Sequence, residues 1–287
     1  MTDLPQTFDR ARIAGNLDRR PADRDDFIAP LVLADLEERL LTLHKVVERA
    51  LILAPDISLL PAEGQTGGGG FAFEQRQTLR RDDTDEVPEL GETDYDLIVS
   101  LLDLQAINDV PGYLVRLSRR LEPDGLLLVA ALGGESLTEL RQSFMMADTE
   151  LAGGAYARVA PFIPVREGGA LLQRAGLALP VADVETHTVR YANALGLMAE
   201  LKALGASNPL SDRPAQPATR RLLAAAAAAY QDNFADADGR VRATLEILWL
   251  SGWKPHESQP KPLRPGSAKI GLGAALAATR QEDDDKA

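Results

Sequence analysis

Two short, almost uninterrupted apolar runs, Tyr95 to Leu101 (YDLIVSL) and Leu126 to Leu132 (LLLVAAL), constrain this chain more than any other feature. Runs of that length suit strands buried on both faces, which occur in parallel sheets covered by helices, and they are far too short to cross a bilayer. Between them Asn108-Asp109 offers helix-capping side chains, Val110 to Leu121 reads as a helix, and Pro123-Asp124-Gly125 has the chemistry of a tight turn. Strand, helix, turn and strand make a parallel crossover unit, right-handed almost without exception. This unit places the chain in the α/β class.

The flanking sequence extends the sheet. Apolar residues recur every three or four positions from Asp26 to Val47, as in an amphipathic helix, and Arg49 to Ala54 follows as a buried first strand. Phe71 to Phe73 begins a weak second strand. The glycine run Gly67 to Gly70 costs too much backbone entropy for an element interior and reads as a mobile surface loop, followed by an acidic stretch up to Asp94. Ser136 opens a helix to about Glu150, with Glu139 as its capping-box partner. Val165 to Ala175 is a helix stopped by Gly176, and the β-branched alternation of Ala178 to Tyr191 marks a long strand. Ala192 to Leu204 and Thr219 to Phe234 read as helices, and Ala243 to Leu250 as the last strand.

Composition narrows function chiefly by exclusion. A net charge of -12 sets the surface against a phosphate backbone, so nucleic-acid binding is not expected. With no cysteine, disulfides and thiolate chemistry are excluded. Only His44, His187 and His256 are present, without metal-site spacing, and no metal is expected. The start of the chain, with acids among its arginines and no apolar stretch, reads as neither a secretory signal nor a transit peptide. A cytoplasmic protein without a membrane span is expected.

From Tyr95 onward the text becomes specific. It contains Asp96-Leu97-Ile98-Val99-Ser100 with Asn108-Asp109-Val110-Pro111-Gly112, then Leu121-Glu122-Pro123-Asp124-Gly125 and Leu132-Gly133-Gly134-Glu135-Ser136-Leu137. Near the end stand Gly252-Trp253-Lys254-Pro255-His256-Glu257-Ser258 and Arg264-Pro265-Gly266. These blocks, with the opening Phe8-Asp9-Arg10, resemble the bacterial relatives of the mitochondrial complex I assembly factor described as an arginine hydroxylase. That family is usually catalogued with methyltransferases such as the biotin-synthesis enzyme acting on malonyl-acyl carrier protein. The resemblance covers roughly the last two thirds of the chain and a short start.

The resemblance implies a three-layer sandwich built on the mostly parallel, seven-stranded, Rossmann-like sheet of class I methyltransferases, with a helical insertion before the last strand. Its expected parts are an N-terminal helical segment (1–48), an α/β core (49–191), a helical cap (192–240), the last strand with a C-terminal strap (241–270) and a tail (271–287). It implies S-adenosylmethionine as cofactor, with contacts falling to Ala54, Asp56, Ser100 and Leu102. The basic, proline-rich block from Lys254 to Lys269 offers Lys254, His256 and Arg264 to a protein substrate or client, with a respiratory complex I subunit implied.

The departures from that pattern concern the cofactor. The glycine-rich turn after the first strand is replaced by Ala54-Pro55-Asp56-Ile57-Ser58; Pro55 fixes φ and removes a donor, and branched residues follow. The spacing from first to fourth strand is about ten residues short, so the second strand and its helices are expected to be compressed. Glu74 and Asp83 are the acids available for the cofactor's ribose. Gln105-Ala106 replaces a His-Trp pair. Two functions follow: a methyltransferase-like enzyme with a remodelled turn, or an inactive assembly chaperone, with arginine hydroxylation implied by the family alone.

Overall fold

A computed structural model describes residues 6–80, 86, 88–215 and 217–260. The elements are α1 (Arg10–Leu17), α2 (Ile28–Leu41), β1 (Ala50–Ala54), β2 (Glu63–Thr66), β3 (Gly69–Gln77), β4 (Tyr95–Leu101), α3 (Val110–Arg119), β5 (Leu121–Leu132), α4 (Thr138–Ala152), α5 (Val165–Arg174), β6 (Ala178–Tyr191), α6 (Ala194–Ala203), α7 (Arg220–Phe234) and β7 (Val241–Trp253). The chain separates into two units, residues 1–255, which hold all these elements, and residues from His256 onward.

The seven strands form one sheet in the order β2-β3-β1-β4-β5-β7-β6. Strands β3, β1, β4 and β5 run parallel, β7 lies antiparallel between β5 and β6, and β2 is antiparallel to β3. An antiparallel strand wedged between the fifth and the sixth is the arrangement of the class I methyltransferase sheet. The fold expected from the sequence is the fold observed.

Strand parity divides the core. Ile52, Val99, Leu128 and Trp249 face α2, while Leu51, Ile98, Leu127 and Leu248 face α3 and α5, whose Tyr113, Leu114 and Leu172 are fully buried. Helices α4, α6 and α7 pack with the start of β7 in a separate cluster around Tyr230, Leu197 and Val241. Among the described residues no helix is long and apolar enough to cross a membrane.

Four local expectations change. The run Gly67 to Gly70 is no mobile loop: Gly67-Gly68 form the tip of the β2–β3 hairpin, and Gly69 and Gly70 belong to β3. The tip is pinned to the connection between α2 and β1, where the Gly67 amide donates to the Leu43 carbonyl (2.7 Å) and the Thr66 hydroxyl to that of Lys45 (2.7 Å). Glycine is needed there because a Cβ on Gly68 would stand 2.5 Å from the Lys45 carbonyl oxygen. Glu63 to Thr66, polar and without alternation, becomes a strand because it pairs with β3.

Pro123-Asp124-Gly125 is not a turn before the strand but a bulge within β5. Leu121 pairs with Tyr95 and Leu126 with Leu97, and Asp124 takes φ +64° to absorb the extra residues. The last strand begins earlier and ends later than Ala243 to Leu250. Ser136 and Glu139 do not cap α4, whose N-cap Leu137 has no side-chain bond. Ser136 exchanges hydrogen bonds with the Glu246 backbone (3.1 and 2.9 Å), and the Glu139 carboxylate accepts from the Thr244 amide (3.0 Å) and hydroxyl (2.6 Å). Both residues tie α4 to β7, because the antiparallel strand brings unmet donors closer than the helix's own first turn.

Candidate functional site

In open α/β sheets, ligands bind beyond the carboxyl ends of the strands, where the strand order reverses. Here that place lies between β1 and β4, and a cavity of about 300 Å³ occupies it. Ala54, Leu102 and Leu132 form its floor, α1 and α2 one wall through Leu17 and Leu33, and α6 the other through Leu201.

The turn after β1 is bonded shut. The Ala54 carbonyl accepts from the Thr78 amide (2.9 Å), and the Gln77 amide group donates to the carbonyls of Pro55 and Leu79, both at 3.0 Å. Asp56 accepts from the Ser58 amide (2.9 Å), from Arg20 (2.5 Å) and from Arg24 (3.1 Å). Partial burial pushes the Asp56 carboxyl up, yet the Ser58 hydrogen bonds and the Arg20 guanidinium together hold it below the usual carboxylate range. Arg20 and Arg24 lie beyond the end of α1, so the N-terminal segment is clamped across the end of β1.

A second clamp sits deeper. Arg10 is buried and donates to the carbonyls of Thr78 (2.9 Å) and Ala106 (3.2 Å), and it pairs with Asp103 at 3.4 Å. Asp103 is fully buried at the end of β4; burial raises its pKa, and the Arg10 charge pulls it back only in part. By sequence alone Asp103 is a polar group near the expected transfer site or, more commonly at such a position, a helix-start carboxylate. Its partner 93 positions away is not legible there, because nothing in Phe8-Asp9-Arg10 announces where α1 will lie.

The residues expected to hold a cofactor are only partly brought together. Ala54, Asp56 and Leu102 line the cavity. Leu102 sits at φ +54°, a strained conformation for a leucine, with its carbonyl accepting from the Gln105 side chain (2.7 Å). Ser100 has the parity of Ile98 and points to the α3 side of the sheet, where its hydroxyl bonds that of Tyr113 (2.7 Å). Glu74 lies on that same side, opposite Leu51, bonded to the Tyr95 hydroxyl (3.0 Å) and Arg76 (2.5 Å); Asp83 lies outside the described residues.

The three partner candidates do not form a group that can be described. The Lys254 ammonium donates to the carbonyls of Leu121 and Arg119, closing the end of α3. His256, in the second unit, shares a 2.7 Å hydrogen bond with Ser258. Arg264 lies outside the described residues.

S-adenosylmethionine presents an amino-acid zwitterion, a sulfonium and a ribose diol, so its site needs free backbone donors after the first strand and a free acceptor after the second. Neither is present. No helix follows β1 to offer N–H groups, because the chain turns directly into the β2–β3 hairpin. Pro55 has no donor, Asp56 is already saturated by two arginines, and the end of β3 presents Gln77 with its amide group engaged. These residues do not fit the nucleotide.

No family model matches the chain. It is 40% identical over 182 residues to the human mitochondrial arginine-hydroxylase NDUFAF5, a match covering 63% of this chain and 52% of that protein. With the zebrafish protein of the same name the identity is 39% over 179 residues, covering 62% and 56%. The malonyl-[acyl-carrier protein] O-methyltransferase of Xylella fastidiosa is 34% identical over 166 residues, covering 58% of this chain and 54% of that one. The chain therefore spans about half the length of the curated relatives it matches. Among solved structures, the YcgJ protein of Bacillus subtilis aligns with 79% of this chain and 99% of its own at 13% identity and a TM-score of 0.45. Over nearly two thirds of its length, this chain is thus similar in sequence to the NDUFAF5 arginine-hydroxylases and, at lower identity, to the malonyl-[acyl-carrier protein] O-methyltransferases.

Proposed function

We propose that this protein is a methyltransferase-fold assembly factor that holds a protein client without using S-adenosylmethionine. A subunit of respiratory complex I is the client that its kinship suggests, and the cytoplasm its place of action. One observation carries the reading: the turn after β1, where the cofactor's amino-acid end would sit, is filled by Pro55 and by Asp56 clamped to Arg20 and Arg24. Releasing that carboxylate for a ligand would uncover two partly buried guanidinium groups.

A second reading, a methyl-transferring enzyme with a rebuilt turn, is favoured by the cavity's place at the reversal of strand order. Titration with S-adenosylmethionine by calorimetry and thermal shift separates the two. A ligand at a hundred times its dissociation constant stabilises by about 2.7 kcal/mol. No shift at millimolar cofactor is expected, and a clear one defeats the non-catalytic reading. For the client, the tagged protein is expected to co-purify with a complex I subunit, and normal complex I in a deletion strain would count against that assignment.

The hydroxylation named for the relatives needs activated oxygen and a carrier for it. Among the described residues no three His, Cys, Asp or Glu side chains gather as metal ligands would. We therefore assign no residue to that chemistry.

A further inference from the structure

Around the cavity the charged side chains are paired and the polar ones largely engaged. Gln105 donates from its Nε2 to the Leu102 carbonyl (2.7 Å), and its buried Oε1, a neutral acceptor, is left without a partner among the described residues. Arg20 and Asp56 neutralise each other at 2.5 Å. Arg158 is held edge-on by the buried Asp148 through two bonds of 2.6 and 2.7 Å. Asp26 accepts from the Ala29 amide (3.1 Å) and lies 3.8 Å from Arg24. Thr244 donates to Glu139 (2.6 Å), and Asn208 donates to the Ala157 carbonyl (3.0 Å) while accepting from the Leu210 amide (3.0 Å). What faces the empty volume between these pairs is aliphatic and aromatic: Leu33, Leu60, Leu102, Leu132, Phe162 and Leu201.

A charged guest would have to give up its hydration and find no counter-charge that is not already used. A neutral apolar guest loses nothing of the kind, and clefts lined mainly by apolar side chains accept such molecules. We infer that the cleft binds a neutral, apolar small molecule of aromatic or aliphatic character, in the volume the fold ordinarily gives to a charged nucleotide. This goes beyond the holding of a client and does not depend on it, since it rests on the lining alone.

The test uses two fluorescent probes with one carbon framework, N-phenyl-1-naphthylamine and its sulfonated counterpart 1-anilinonaphthalene-8-sulfonate, titrated into the full-length folded protein. The neutral probe is expected to bind one site per chain, to raise the melting temperature, and to bind at least about tenfold more tightly than the sulfonate, the penalty for an unpaired buried charge. Leu33→Asp, which puts a carboxylate into the partly exposed α2 wall, is expected to lower that affinity about tenfold or more, and Leu33→Met to preserve it.

Should Leu33→Asp fail to fold, Leu33→Cys supplies a second route. The chain has no cysteine, so this thiol is unique, and the neutral probe should slow its reaction with N-ethylmaleimide. Equal or tighter binding of the sulfonate, several sites per chain, or a thiol whose labelling ignores the probe would overturn the inference. Stabilisation by S-adenosylmethionine would defeat the non-catalytic reading and this inference together, whereas equal or tighter sulfonate binding without such stabilisation would overturn this inference alone, so the two failures can be told apart.

Discussion

Removing the Arg10 guanidinium while keeping its bulk, as in Arg10→Met, should expose the energetics that hold α1 over the cleft. The Arg10 side chain is 4% exposed and that of Asp103 is 0% exposed, so neither can recruit water when its partner is lost. Breaking a buried pair from one side costs about 3–5 kcal/mol, because a desolvated charge stays behind; here the carbonyls of Thr78 and Ala106 lose a donor as well. The size of this loss depends on pH. Burial already lifts the Asp103 carboxyl above the ordinary carboxylate value, against the pull of Arg10. A carboxyl raised on folding binds its proton more tightly in the folded chain, so stability declines as pH rises from the unfolded value through the folded one.

Without Arg10 the folded value climbs further and that window widens. The deficit of Arg10→Met should therefore be smaller near pH 4.5 than near pH 7, because a lower pH favours the protonated form of Asp103. Urea unfolding at both pH values measures it through the midpoint at constant slope. Adding Asp103→Asn should recover about 2 kcal/mol or more of the loss at neutral pH, since the stranded charge is gone. A deficit below about 1 kcal/mol, or one that is the same at both pH values, would refute the assignment of Arg10 and Asp103 as a buried pair.

Three further outcomes test other parts of the structure. Glu139→Ala removes the acceptor for the Thr244 amide and hydroxyl from a nearly buried position and should cost about 2–3 kcal/mol in chemical denaturation, with Glu139→Gln costing less; equal losses would mean that the second acceptor oxygen contributes nothing. Gly168→Ala would place a methyl group 2.5 Å from the Leu250 side chain in the core beneath α5, and a loss of about 1–3 kcal/mol is expected; a neutral result would show that Leu250 can move aside. Asp56 has a lowered pKa, so its stabilising contribution is present above the unfolded carboxylate value and fades as pH falls through the folded one. Asp56→Asn should thus flatten the acid limb of the stability profile, and unchanged curvature below about pH 4 would remove Asp56 from that role.

Much of the sheet was legible because burial on both faces leaves a continuous apolar signature. The runs at Ala50–Ala54 and Tyr95–Leu101 needed only local composition, and the long alternation of Ala178–Tyr191 matched its strand end to end. Polar text failed as a guide where pairing, not side-chain preference, made the strand. Glu63–Thr66 and the two glycines that open β3 are extended because the hairpin tip docks against the Leu43 and Lys45 carbonyls.

At the cleft, the altered turn could be read from Pro55 and its neighbours, because a missing donor and branched side chains are properties of the residues themselves. What replaced it could not. Asp56 looked like a remnant of a cofactor motif and Ser100 like a contact; the structure clamps the first with Arg20 and Arg24 and turns the second to the opposite layer, against Tyr113.

Sequence alone thus determined the α/β class and the parallel centre, which follow from local burial patterns, and, against the pattern of the family it resembles, the replacement of a glycine-rich turn by Pro55 and branched residues. Only the tertiary structure decided that the N-terminal segment would close the cleft through Arg10, Arg20 and Arg24. It alone showed that the charges around the cavity neutralise one another, leaving an apolar volume. Charge pairing between residues tens of positions apart depends on where whole elements pack, and no short-range pattern in a chain encodes that distance.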